Sequence, residues 1–144
     1  MIFEKKRLLK FLILFFAAIF VLHGVACYFS LYWRIWWFDG VLHFLGGSWL
    51  GFFMIWLSFF SLDISLPRAR AFFVLAIILG MSALGGVLWE FHEFLFDYFI
   101  AKEGHYLFTQ LGVADTMSDL FFDLIGGLTA GLIFLKKRNK DEPK

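Results

Sequence analysis

Three stretches of this chain, residues 11–33, 40–62 and 71–89, contain no Asp, Glu, Lys or Arg. A bilayer core of about 30 Å takes about 20 residues of helix to cross, so each stretch reads as a transmembrane span. Composition agrees: 61% of the 144 residues are hydrophobic, 22% aromatic and only 17% charged, against roughly 45–50% apolar and about 25% charged in soluble domains. The 22 Phe and 6 Trp exceed what a water-soluble core of this size can bury. Lipid must solvate much of the surface.

The fourth span carries charge. Only residues 124–135 are free of it there, too few to cross, so a spanning helix must start near Asp115 or Thr116 and take Asp119 and Asp123 with it. A carboxylate at mid-membrane costs roughly 2.5–3.5 kcal/mol on insertion scales, which calls for a compensating partner in the bundle interior. The expected fold is all-α: a polytopic membrane protein, a four-transmembrane-helix bundle in a single membrane domain over residues 1–144. Its spans are expected at approximately 9–33, 38–61, 70–98 and 115–136.

Basic residues set the expected orientation. Lys5, Lys6, Arg7, Lys10, Arg68, Arg70, Lys136, Lys137, Arg138, Lys140 and Lys144 share one side of an alternating topology, and only Arg34 and Lys102 fall on the other. The positive-inside rule places both termini in the cytoplasm. Trp33, Trp36 and Trp37 then fit an aromatic belt at the outer interface, and Pro67 a loop or helix start between spans two and three. The first apolar run is longer than the roughly 7–15 residues of a signal-peptide core and reads as a retained helix. The lone Cys27 allows no intrachain disulfide. The basic clusters flank apolar runs, so they read as topology signals with no nucleic-acid partner; the tail from Asn139 reads as frayed.

Within the spans the polar residues are patterned. Asp39 and His43 are four apart, on one helical face, and Gly46 and Gly47 continue that stripe. Ser82, Gly86, Glu90, Glu93 and Asp97 fall within an arc of about 80° at ~100° per residue. Asp115, Asp119 and Asp123 recur every fourth residue and lead into Gly126, Gly127, Ala130 and Gly131. With alternating spans, all these acids belong to the outer half, and the small residues below them let the helices approach closely. The glycines therefore read as packing residues. His23 lies near enough to reach the acids; His92, about 160° round from Glu90, is a weaker member.

Carboxylates crowded in a water-poor interior cannot all stay ionised unless they hold protons or bind a cation. Carboxylates with an imidazole are the ligand type of Mg²⁺, Mn²⁺, Fe²⁺ or Zn²⁺ sites, and paired acids on facing helices build metal centres in bundles. The expected divalent-metal set is Asp39, His43, Glu90, Glu93, Asp119 and Asp123, with Glu90 and Asp119 the expected catalytic groups. No Glu-x-x-His spacing is present; the local run is Glu90-Phe91-His92-Glu93.

Asp39-x-x-x-His43-Phe44, Trp89-Glu90-x-x-Glu93, and Thr109-Gln110 leading to Asp115-Thr116-x-x-Asp119 resemble the YjdF-like family of bacterial inner-membrane proteins over roughly residues 37–131. The acid–His–acid order is more loosely similar to VanZ-like membrane proteins. The third block departs from the Gly-Asp-x-Trp-Asp-Thr-Gln form of the YjdF-like family. The resemblance implies an inner-membrane protein and marks these positions as the ones that matter.

Three functional classes fit the residues. One is a metal-dependent protein acting on a lipid or lipid-linked head group at the outer leaflet. The second is a proton- or cation-binding site of a transporter or channel, for which four short helices leave a narrow path unless the protein oligomerises. The third is a non-catalytic membrane module recognising a lipid or protein partner. No Ser, Cys or Lys nucleophile stands beside the acids and no Arg cluster for phosphate, which argues against a phosphatase. The structural readings of single residues are an N-cap for Asp39 and for Asp115, and solvent exposure for Asp97, Glu103 and His105.

Overall fold

The computed structural model describes residues 4–62, 64, 71–100, 109 and 112–141, and among these there are helices and no strand. Pro67, Arg68, Arg70, Lys102, Glu103, His105, Gln110 and Lys144 lie outside the described residues. The helices are α1 (Lys5–Phe29), the single turn α2 (Leu31–Arg34), α3 (Phe38–Ile55), α4 (Ala71–Phe99) and α5 (Val113–Asp141), with a π-helical segment, Trp56–Ser61, prolonging α3. Four of these segments are long and apolar enough to cross a membrane: Lys5–Phe29, Phe38–Ser61, Ala71–Phe99 and Val113–Arg138.

The continuous first helix closes at Phe29 because Ser30 takes a left-handed conformation, φ 54° and ψ 42°. Its N–H bonds back to the carbonyls of Ala26 and Cys27, which satisfies the end of the helix as a left-handed cap does. The chain restarts as α2, and exposed Trp33, Trp36 and Trp37 crowd the turn into α3. At the other boundary of interest, α5 begins at Val113. Asp115 is therefore inside the first turn and is not the expected N-cap. Asp39 is likewise in the first turn of α3, whose N-cap is Trp37.

Helices α3, α4 and α5 form the packed centre, with α3 and α5 the most intimate pair. Lipid gives apolar side chains no reason to prefer one another, so helices in a membrane associate through close packing and interhelical hydrogen bonds. The sequence supplies both. A Cβ on Gly47 would strike the backbone of Asp123, and one on Gly126 would strike the Phe44 carbonyl. At the same crossing Ser48 Oγ donates to the Gly126 carbonyl at 3.2 Å, and Ser82 Oγ donates to the Gly47 carbonyl at 3.2 Å.

Helix α1 is attached differently. It lies on α3, where Trp49 Nε1 donates to the Leu12 carbonyl at 2.9 Å and Trp56 Nε1 to the Lys5 carbonyl at 3.3 Å. It makes no backbone approach to α4 or α5 among the described residues. Most of its large side chains face outward, as do Phe91, Phe94 and Leu95 of α4 and Phe121, Leu132 and Ile133 of α5. A surface this apolar is one that lipid solvates.

The bundle is chemically polarised along its length. One end is a dry cluster of Leu8, Leu12, Ile55, Val74, Ile78, Phe134 and Leu135. At the other end, where α3 and α5 begin and α4 finishes, the buried side chains are acids and a histidine.

Candidate functional site

Each helix of the central trio contributes through its own periodicity. The i, i+4 pair Asp39 and His43 comes from α3, Glu90 and Glu93 from α4, and Asp119 and Asp123, again i, i+4, from α5. A spacing of three or four keeps such pairs on one face. All six are buried, at 2–6% exposure.

His43 is the hub. Its Nδ1 lies 3.0 Å from Asp123 Oδ2, a hydrogen bond in which the ring N–H donates to the carboxylate. Its Nε2 faces the opposite way, 3.7 Å from Asp39 Oδ1 and 3.9 Å from Glu90 Oε1. Those two separations are too wide for hydrogen bonds, whose N···O distances run ~2.7–3.2 Å. They suit donors sharing one ion, since ligand atoms each about 2.0–2.2 Å from a metal stand roughly 3–4 Å from one another. Ligand atoms of Asp39, His43 and Asp119 all lie within 4.8 Å of one another, and so do those of His43, Glu90 and Glu93. Three buried atoms, Asp39 Oδ2, His43 Nε2 and Asp119 Oδ2, have no hydrogen-bond partner among the described residues. Leaving a buried polar atom unpaired costs about 1–3 kcal/mol, so three in one spot call for a proton, a water or a cation.

The surrounding groups hold the acids in place. Thr116 Oγ1 donates to Glu90 Oε2 at 2.7 Å, and Trp89 Nε1 donates to Glu93 Oε1 at 3.0 Å. A Cβ on Gly86 would meet the Asp123 carboxylate, so the absent side chain makes room for it. No Lys or Arg occurs in residues 35–62, 71–101 or 103–135, so these segments bring no fixed positive charge to balance the acids. The chemistry left open is protonation or a cation.

The five acids and one histidine expected from the sequence are thus brought to one place, while their neighbours are not. Asp97, expected to be solvated, is buried: it accepts from the Thr109 backbone N–H at 3.0 Å and from Thr109 Oγ1 at 3.2 Å. It fastens Thr109 onto α4. Asp115 is half-buried at the start of α5. His23 does not join the acids; its Nδ1 lies 2.6 Å from the Tyr32 hydroxyl, and its Nε2 3.6 Å from Cys27 Sγ. His92 is exposed and stands beside the Trp89 ring, centroids 5.1 Å apart. The roles of Thr116 and Trp89 were missed by sequence reasoning. Trp89 had a signal, lying four residues before Glu93 on one face; Thr116 stood in a motif of the resemblance, but its bond to Glu90, 26 residues away, left no local pattern.

Comparison with known proteins was consistent with this picture. The family described as Predicted membrane protein (DUF2238) matches residues 2–140. A protein of Thermotoga maritima, described as an uncharacterized protein, is 34% identical over 124 residues, covering 81% of this chain and 58% of its own length. The chain therefore spans a little over half the length of that relative. No solved structure matches.

Proposed function

The chain belongs to the DUF2238 family of predicted membrane proteins, and from that premise we propose that its buried acid–histidine group is a divalent-metal centre acting on a lipid or lipid-linked head group. The observation that carries this reading is the two-sided engagement of His43. Asp123 accepts from Nδ1–H, which fixes the tautomer and turns Nε2, unpaired and buried, toward Asp39 and Glu90. A carboxylate behind a histidine is the usual support of a metal-binding imidazole. In this reading Asp39, His43, Glu90, Glu93 and Asp119 hold the ion. Asp123, which the sequence placed among the ligands, orients His43.

A bound divalent cation supplies Lewis-acid polarisation of a head-group oxygen. The chain's own residues do the rest. Thr116 holds one oxygen of Glu90 and leaves the carboxylate oriented to take or return a proton; Asp119, with an unpartnered oxygen, is the second such group. The distribution of basic residues supports cytoplasmic termini, which turns the centre to the outer leaflet, in a single membrane domain that the YjdF-like resemblance assigns to the bacterial inner membrane. The YjdF-like resemblance belongs to the same proposal. The transport reading is the weaker one, because the dry cluster around Leu12, Ile55 and Ile78 stands between the acids and the far end of the bundle.

Elemental analysis of the purified protein tests the centre. Stoichiometric Mg, Mn, Fe or Zn is expected in the wild type and should be lost in His43→Ala and Asp119→Asn. Wild-type protein that retains none of these, and whose thermal unfolding responds neither to chelator nor to added metal, would overturn the proposal. It would leave the polar group as a register device or a partner-recognition element.

A further inference from the structure

Asp39, His43 and Asp123 also line the inner end of a cavity of about 410 Å³ between α1, α3 and α4. That volume is within the ~300–1,000 Å³ of small-molecule sites. Its lining also includes His23, Tyr32 and His92, but its walls are otherwise greasy: Phe16, Ile19 and Phe20 on α1, Leu42 and Leu50 on α3, Leu88 on α4. The cavity exists because α1 is pinned to α3 and does not approach the backbone of α4. What joins α1 to α4 is an edge-to-face contact between the rings of His23 and Trp89, centroids 5.3 Å apart. That pair ties to the polar end, since Trp89 donates to Glu93 and His23 is bonded to Tyr32.

We propose that this slot takes one hydrocarbon tail of a bilayer lipid, entering sideways between α1 and α4, with the lipid's polar end at His43 and Asp39. The match is one of polarity along the length. An occupant must be apolar past Phe16, Leu50 and Leu88 and polar where two unpartnered atoms, Asp39 Oδ2 and His43 Nε2, are buried. Water satisfies the second condition and not the first. A lipid satisfies both and is what surrounds α1 and α4, whose outer faces are apolar. The head-group half of this inference rests on the proposed metal centre; the tail half does not.

The test uses the full chain in vesicles of phosphatidylethanolamine and phosphatidylglycerol doped with a phospholipid carrying a diazirine midway along one tail. After irradiation, labelled peptides are mapped by mass spectrometry. Labelling is expected to concentrate on the segments bearing Ile19, Leu42 and Leu88, above that on the lipid-exposed Leu132 and Ile133 of α5, which report ordinary contact with surrounding lipid. Ile19→Trp, which fills the slot from α1, should lower slot labelling at least about fivefold and leave the α5 signal unchanged. Leu88→Trp, on an exposed position of α4, should do the same and guards against misfolding of the first variant. Labelling that follows exposure alone, unmoved by either variant, overturns the proposal. Metal content measured on the same preparations separates the two readings. Slot labelling in protein that binds no metal upholds the tail site and removes the head-group half. Metal-loaded protein with no slot labelling removes the tail site and leaves the centre standing.

Discussion

At the scale of single residues, the arrangement buries polar atoms at a cost in stability, a cost that the proposed metal centre would offset. Acids of three helices converge with one imidazole, and three of the atoms there lack partners among the described residues. Asp119→Asn in chelated protein should therefore raise stability, because it removes a buried carboxylate that no Lys or Arg of these segments balances. In metal-saturated protein the same change should lower it. Thermal unfolding in detergent with and without metal reads the sign, and equal shifts in both conditions would deny a metal role to Asp119. Thr116→Val removes the 2.7 Å bond to Glu90. Its expected cost is about 0.6 kcal/mol, the average for interhelical hydrogen bonds in membranes, and no more than about 1.7 kcal/mol. Asp123→Asn should keep the ring partner but weaken its charge, with metal affinity falling about 10–100-fold where His43→Ala abolishes it.

At the scale of helices, close approach is the organising fact. Gly47 and Gly126 lie where α3 and α5 touch backbone to backbone, whereas Gly24 and Gly80 have nothing within 4 Å of an added Cβ. Gly47→Ala and Gly126→Ala should each destabilise by about 1–3 kcal/mol, as overpacking does. Gly24→Ala and Gly80→Ala should be neutral or stabilise by up to about 1 kcal/mol, since alanine is the better helix former. Destabilisation of similar size at all four positions would show that these contacts do not hold the bundle together. Each helix was legible because its signal is local. Apolar length marked α1, α3 and α4, and recurrence every three or four residues placed Glu90 with Glu93 and Asp119 with Asp123. The exact ends were less so. The left-handed Ser30 that closes α1 and the two helical residues ahead of Asp115 depend on how the chain turns between helices, and no run of side chains announces that.

At the scale of the whole molecule, four spans would put the two ends of the chain on one side, and the excess of basic residues there predicts that side to be the cytoplasm. Reporter fusions at residues 1 and 144 should both read cytoplasmic, and opposite readings would break the four-span topology. The apolar runs and the charge asymmetry determined by themselves that this is a helical membrane protein, because transfer into lipid depends on each segment's own composition. They also determined that ionisable groups are carried into the membrane, since no charge-free stretch exists for the fourth crossing. Only the tertiary structure decided which of those groups meet. His43 turns toward Asp123, 80 residues away, His23 turns away to Tyr32, and Asp97 is drawn off to Thr109. Such choices rest on how helices rotate against one another as glycines and serines come into contact, and that is a property of pairs of surfaces that neither surface encodes alone.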